Sequence, residues 1–207
     1  MQRRSATGLW MGAALCAAVA LAALTLAACG IGPTGLRRAL EVTARFSFVL
    51  FWLAYAGSAL AALFGAAFQS LARRGRDLGL AFASAHLVHA GLVVWLFRIS
   101  PQPPVTGATF AFFTIGLVWV YLLALLSIKR LSGMLGPLRW RILRTVGLEY
   151  ISLAFLFDFI NHPIHLDAKS LLGYVPFATL AVTGTILRIA AWMHRRQPTT
   201  ARGALPS

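Results

Sequence analysis

The placement of charge constrains this chain more than any motif: residues 5–36, 46–72, 78–97, 99–128 and 170–187 contain no Asp, Glu, Lys or Arg. A helix needs about 20 mostly apolar residues to cross a hydrocarbon core of about 30 Å, and each of these runs is near or beyond that length. A sixth apolar run lies between Arg144 and His162, interrupted by Glu149 and Asp158. The spacing predicts spans at 9–28, 46–67, 78–97, 108–128, 143–161 and 171–193, and hence an all-α integral membrane bundle of six transmembrane helices. Composition agrees. Of 207 residues, 12% are charged and 59% hydrophobic, where soluble domains carry about 25% charged residues. That balance excludes a soluble globular enzyme and a disordered tail. The two cysteines, Cys16 and Cys29, lie in one apolar run, which excludes a disulfide framework or a cysteine zinc site.

Orientation follows from Lys and Arg, which concentrate in cytoplasmic loops. With the N-terminus inside, only Arg37, Arg38, Arg45, Arg98 and Lys169 of the 19 basic residues fall outside. Both termini are therefore expected in the cytoplasm. Trp10, Trp140 and Trp192 are then expected at the inner interface, and Trp95 and Tyr174 at the outer one. The net charge of +14 reads as topology, because a nucleic-acid groove needs its charge on one solvated face and here it is split between apolar stretches. The partner implied is the lipid bilayer, with no nucleic acid.

Leu26-Ala27-Ala28-Cys29-Gly30 looks like a bacterial lipoprotein signal, yet the apolar run before it is about 20 residues long, beyond the usual 7–15 of a signal peptide. An uncleaved first helix is the expectation. The chain then divides into an N-terminal helix and outer loop (1–40), a helix bundle (41–197) and a short polar tail (198–207). Polar loops are expected around 29–45 and 129–142. None of these segments is long enough to bury a core of its own. No dinucleotide fingerprint, P-loop or Ser/His/Asp arrangement is present, so no catalytic residue is assigned.

Titratable side chains inside a span are costly and mark candidate sites. His86 and His89 are three residues apart on one face of the third span, about 13 and 18 Å from Asp77 along the helix. Interhelical hydrogen bonding and ligation of haem iron or another metal both account for such a pair. Asp158, His162 and His165 share the i, i+4, i+7 spacing near the outer end of the next titratable span, with Pro163 closing that helix. They read either as an interfacial acid–histidine pair or as a metal or proton site. Glu149, one to two turns above Arg141 and Arg144, reads as their salt-bridge partner. Gly57, Ala61 and Gly65, four apart, favour close helix packing.

Several of these segments resemble the ferric reductase-like transmembrane domain family, which includes the haem-binding membrane subunit of the bacterial methionine sulfoxide reductase system. The match rests on Arg73-Arg74, Arg76-Asp77-Leu78-Gly79-Leu80 and then His89. It is joined by Leu135-Gly136, Trp140-Arg141-Ile142-Leu143 with Tyr150, and by residues 44–60, ARFSFVLFWLAYAGSAL. The resemblance covers about residues 40–160. It implies b-type haem between the third and fifth helices, with His89, joined by His86, as cofactor ligand. His162, one turn beyond the position where the family's outer histidine is expected, serves as a ligand if the fifth helix extends that far. It also implies a quinol or flavoprotein donor, a periplasmic acceptor protein and a bacterial cytoplasmic membrane. This chain departs from the family at two places: Arg144 stands directly after Leu143, where the family carries a histidine, and Phe157 and Asp158 stand where a second is expected. The function expected from this is a b-type haem electron-transfer subunit that carries electrons across the membrane for a partner oxidoreductase. The alternatives are a haem-free structural or assembly partner of the same fold and, second, a His/Asp-dependent metal or proton transporter.

Overall fold

A computed structural model describes residues 2–105, 107–128, 135–161 and 168–196, with side chains given from Ala6 onward and, in the last helix, from Gly173. The helices are α1 (Gln2–Cys29), α2 (Pro33–Phe64), α3 (Gln69–Arg73), α4 (Gly75–Ile99), α5 (Gly107–Ile128), α6 (Gly136–Asn161) and α7 (Ala168–Arg196), with a 3-10 turn at Gly65–Phe68. Among the described residues there is no strand, so the all-α expectation holds. Five segments are long and apolar enough to cross a membrane: Ala6–Cys29, Pro33–Arg73, Gly75–Ile99, Gly107–Ser127 and Gly173–Arg196. They coincide with five of the six expected spans. Large apolar side chains also cover their outer faces, among them Val94, Val118, Ile186 and Ile189. Apolar residues inside and outside the same helices are what a lipid environment requires.

The expected loop at 29–45 is largely helix. Only residues 30–32 separate α1 from α2, which starts with Pro33 in its first turn, where a missing N–H costs nothing. The charges read as loop charges lie on that helix, and Arg38 pairs with Glu41 three residues on at 3.1 Å. Of the small-residue series on α2, Gly57 packs as expected: a Cβ there would meet Leu71 Cγ at 3.0 Å. Gly65 has a different job. Its φ of +71° ends α2 in the left-handed region that glycine tolerates.

Helix α2 packs against α1, α4 and α7, while α4 contacts α5, α5 contacts α6, and α6 contacts α7. Helices α2, α4, α5, α6 and α7 thus close a ring, and α1 lies outside it in the groove between α2 and α4. An alanine face makes that groove fit. Ala14, Ala18 and Ala22 are buried, the first two against Ala81 and Ala85 of α4 and the third against Leu36 and Ala39 of α2. Small residues let helix backbones approach closely where no water drives association. Two bonds align one end of the bundle: Thr7 Oγ1 donates to Asp77 Oδ1 at 2.7 Å, and Arg76 Nη2 donates to Ser127 O at 3.0 Å. The starts of α1 and α4 and the end of α5 therefore lie together.

Candidate functional site: two polar centres in an aromatic bundle

The ring is filled by aromatic side chains. Phe48, Phe51 and Tyr55 of α2, Phe82 of α4, Phe155 and Phe159 of α6 and Tyr174 of α7 are buried in one cluster. Phe48 meets Phe155 and Phe159 edge-on at 5.2 and 4.9 Å. Such edge-to-face pairs add to the contact area they bury. Their predominance also limits what else the interior can hold.

His86 and His89 face this interior from α4. Their rings stack with centroids 5.0 Å apart and planes 20° apart, which brings together the two residues expected to act as a pair. His89 Nδ1 lies 3.2 Å from Thr43 Oγ1, and the Thr43 hydroxyl lies 2.8 Å from Ala39 O. A hydroxyl has one proton to give. Which group donates at the longer contact follows the tautomer of the His89 ring, which also has the Leu40 backbone as a hydrogen-bond partner. The Nδ1 atom of His86 is buried with no hydrogen-bond partner among the described residues.

The surroundings of the pair do not fit a bis-histidine haem. The ring of His86 touches Phe82 at 5.3 Å and Phe155 edge-on at 6.1 Å, so phenyl groups occupy the space between α4 and α6 into which a macrocycle would have to slide. Two imidazoles stacked one helical turn apart also cannot hold one iron from opposite faces. Asp158 of α6 lies within electrostatic range of His89. Among the described residues, no group of three or more His, Cys, Asp or Glu is placed to hold a metal ion. His162, the remaining expected ligand, lies outside the described residues, as does His165.

A second polar centre was not anticipated. Glu149 of α6 does not pair with Arg141 or Arg144 as its spacing suggested; it pairs across the bundle with Arg188 of α7, Oε1 to Nη2 at 2.8 Å. Its other oxygen accepts from Tyr55 Oη of α2 at 2.6 Å. Arg188 also donates from Nε to Glu149 Oε1 at 2.8 Å and lies over the Tyr55 ring at 4.5 Å. One acid, one base and one phenol thus tie three helices together. The signal for this network was in the sequence: Glu149 and Arg188 each interrupt an apolar run, and an acid in a span is best satisfied by a base in another. Tyr174 also differs from expectation. It is 4% exposed, with the Arg45 guanidinium 4.8 Å over its ring, so its ring is packed inside the bundle and not on the lipid-facing surface.

No family model matches the chain, and neither does any curated protein or solved structure.

Proposed function

We propose that the chain is a six-span membrane protein that serves as a haem-free structural or assembly subunit for a partner in the same membrane. The observation that supports this reading is Phe155, which sits against His86 and fills the α4–α6 space. Helix α6 supplies the sixth span: its 26 residues reach about 39 Å at 1.5 Å per residue, and the acid in its middle, Glu149, is met by Arg188 and Tyr55. The basic residues Arg73, Arg74 and Arg76, with Arg195 and Arg196, support a cytoplasmic side for that end and for both termini, in keeping with the bacterial inner membrane that the resemblance implies. The alanine face of α1 supports an uncleaved first helix, because removing it would bare Ala81 and Ala85.

A second reading, electron transfer through b-type haem, draws on the Nδ1 of His86, unpartnered among the described residues, and on the His89 ring stacked beside it. A dithionite-reduced minus oxidised spectrum of the detergent-purified protein, made with haem supplied, separates the two. A flat spectrum is the expected result. A b-type band in near-stoichiometric amount overturns the first reading, and its loss in His89→Ala would then assign the ligand.

A further inference from the structure

We propose that the cavity between α2, α6 and α7 at the basic end of the bundle binds a phosphate ester, with the phosphodiester of an anionic phospholipid as its source. The cavity holds about 320 Å³ and is lined by Ser58, Trp140, Arg141, Arg144, Thr145 and Arg188 together with Pro137 and Leu148. That volume is at the small end of ligand sites, about 300–1,000 Å³.

Charge is the first argument. Three guanidinium groups line the cavity, and the nearby carboxylate, Glu149, is already committed on both oxygens to Arg188 and Tyr55. Arg144 lies within electrostatic range of Arg188 and has no hydrogen bond or ion pair among the described residues. Arg188 is already paired with Glu149, so the charge left facing the cavity is that of Arg141 and Arg144. Two such guanidinium groups at the edge of an apolar bundle favour an anion between them. The forked donors of arginine match phosphate oxygens better than a point charge does.

Shape and position are the second argument. The hydroxyls of Ser58 and Thr145 supply neutral donors, while Trp140, Pro137 and Leu148 give one apolar wall. An amphipathic ligand with an anionic head and an apolar body satisfies both halves. The site opens beside lipid-facing helices at the end where basic residues gather, which is where basic pockets between helices take anionic headgroups. This inference does not rest on the haem question.

The test uses the full chain in detergent and in nanodiscs. Binding is read by native mass spectrometry and by thermal stabilisation with phosphatidylglycerol, with phosphatidylcholine, and with inorganic phosphate or glycerol 3-phosphate. Phosphatidylglycerol is expected to bind and stabilise, and phosphatidylcholine to do neither. Arg144→Gln and Arg141→Gln are each expected to weaken phosphatidylglycerol binding about fivefold. Arg139→Gln, an exposed position on the same helix that does not line the cavity, is expected to leave it unchanged. Arg141 is exposed, so its variant reports on binding even if Arg144→Gln fails to fold. Stabilisation by glycerol 3-phosphate without phosphatidylglycerol, lost in the same variants, would assign the site to a soluble phosphate ester and overturn the lipid source. Equal weakening by all three variants would reduce the effect to diffuse surface charge and overturn the site, as would retention of no anion at all.

Discussion

The imidazoles of His86 and His89 stack 5.0 Å apart, yet only His89 has its Nδ1 satisfied, by Thr43 at 3.2 Å. The two histidines therefore differ in what they contribute. An unpaired polar nitrogen in an apolar interior costs free energy, about 1–3 kcal/mol when a partner is missing. His86→Leu is expected to leave the unfolding temperature unchanged or raise it, because it replaces that nitrogen with carbon. His89→Leu is expected to lower stability by about 1 kcal/mol through loss of the Thr43 bond. Thermal unfolding of both variants in detergent checks the order, and the reverse order would reveal a partner of His86 that the bundle does not show.

Glu149 and Arg188 should behave as one unit. Each alone is a charge in an apolar bundle, and together they form a 2.8 Å pair. Glu149→Gln and Arg188→Gln are each expected to cost about 1–3 kcal/mol, the range for hydrogen bonds to charged groups. The double variant should cost clearly less than their sum. Tyr55→Phe removes the 2.6 Å bond to Glu149 and is expected to cost about 1 kcal/mol. A double-mutant cycle by chemical denaturation measures the coupling, and strict additivity would mean that the pair contributes nothing to the fold.

Much of this architecture was legible before any coordinates. Charge-free runs located five segments long and apolar enough to cross a membrane, and the i, i+3 spacing of His86 and His89 placed both on one face. What the sequence concealed was depth of packing. Nothing in a one-dimensional pattern says that Phe155 will meet His86, because phenylalanines are as common on lipid-facing surfaces as in cores, and Phe157 two residues away is 41% exposed. The resemblance to a haem-binding family implied a cofactor beside His86, and it carried no sign of the phenyl rings of Phe82 and Phe155 that pack there. Charged residues misled in the opposite direction: Arg37, Arg38, Glu41 and Arg45 read as loop, but a helix carries them easily when it extends past the apolar layer and its arginines snorkel or stack on aromatic rings. Glu149 was assigned to its sequence neighbours because spacing sees only its own helix. Its partner is 39 residues away.

The α5–α6 crossing depends on one glycine. A Cβ on Gly147 would meet Trp119 Cε3 at 2.7 Å and Leu123 Cδ1 at 2.9 Å, closer than real contacts allow. Gly147→Ala is therefore expected to destabilise by about 1–3 kcal/mol, the usual cost of overpacking. Gly116, on the facing helix, provides the control. A Cβ there meets nothing closer than 3.7 Å, so Gly116→Ala is expected to be neutral or to stabilise by about 0.5–1 kcal/mol through helix propensity. The unfolding midpoint of Gly147→Ala should fall below that of the parent, and the midpoint of Gly116→Ala at or above it.

The two cysteines give a direct reading of the membrane arrangement, since both are exposed at the bundle surface but at different depths along α1. Cys29 closes the helix, and Cys16 lies about 20 Å further along it, in the apolar middle. Thiols react with maleimides as thiolates, which need water. A membrane-impermeant maleimide applied to intact spheroplasts is expected to label Cys29 and spare Cys16, with Cys29→Ser abolishing the signal. Labelling of Cys29 only after permeabilisation would invert the orientation argued from the arginines. A protein shortened to begin at Cys29, carrying the mass of a lipid, would mean that α1 is a signal, and that the alanine face of α4 must then be covered by something other than this helix.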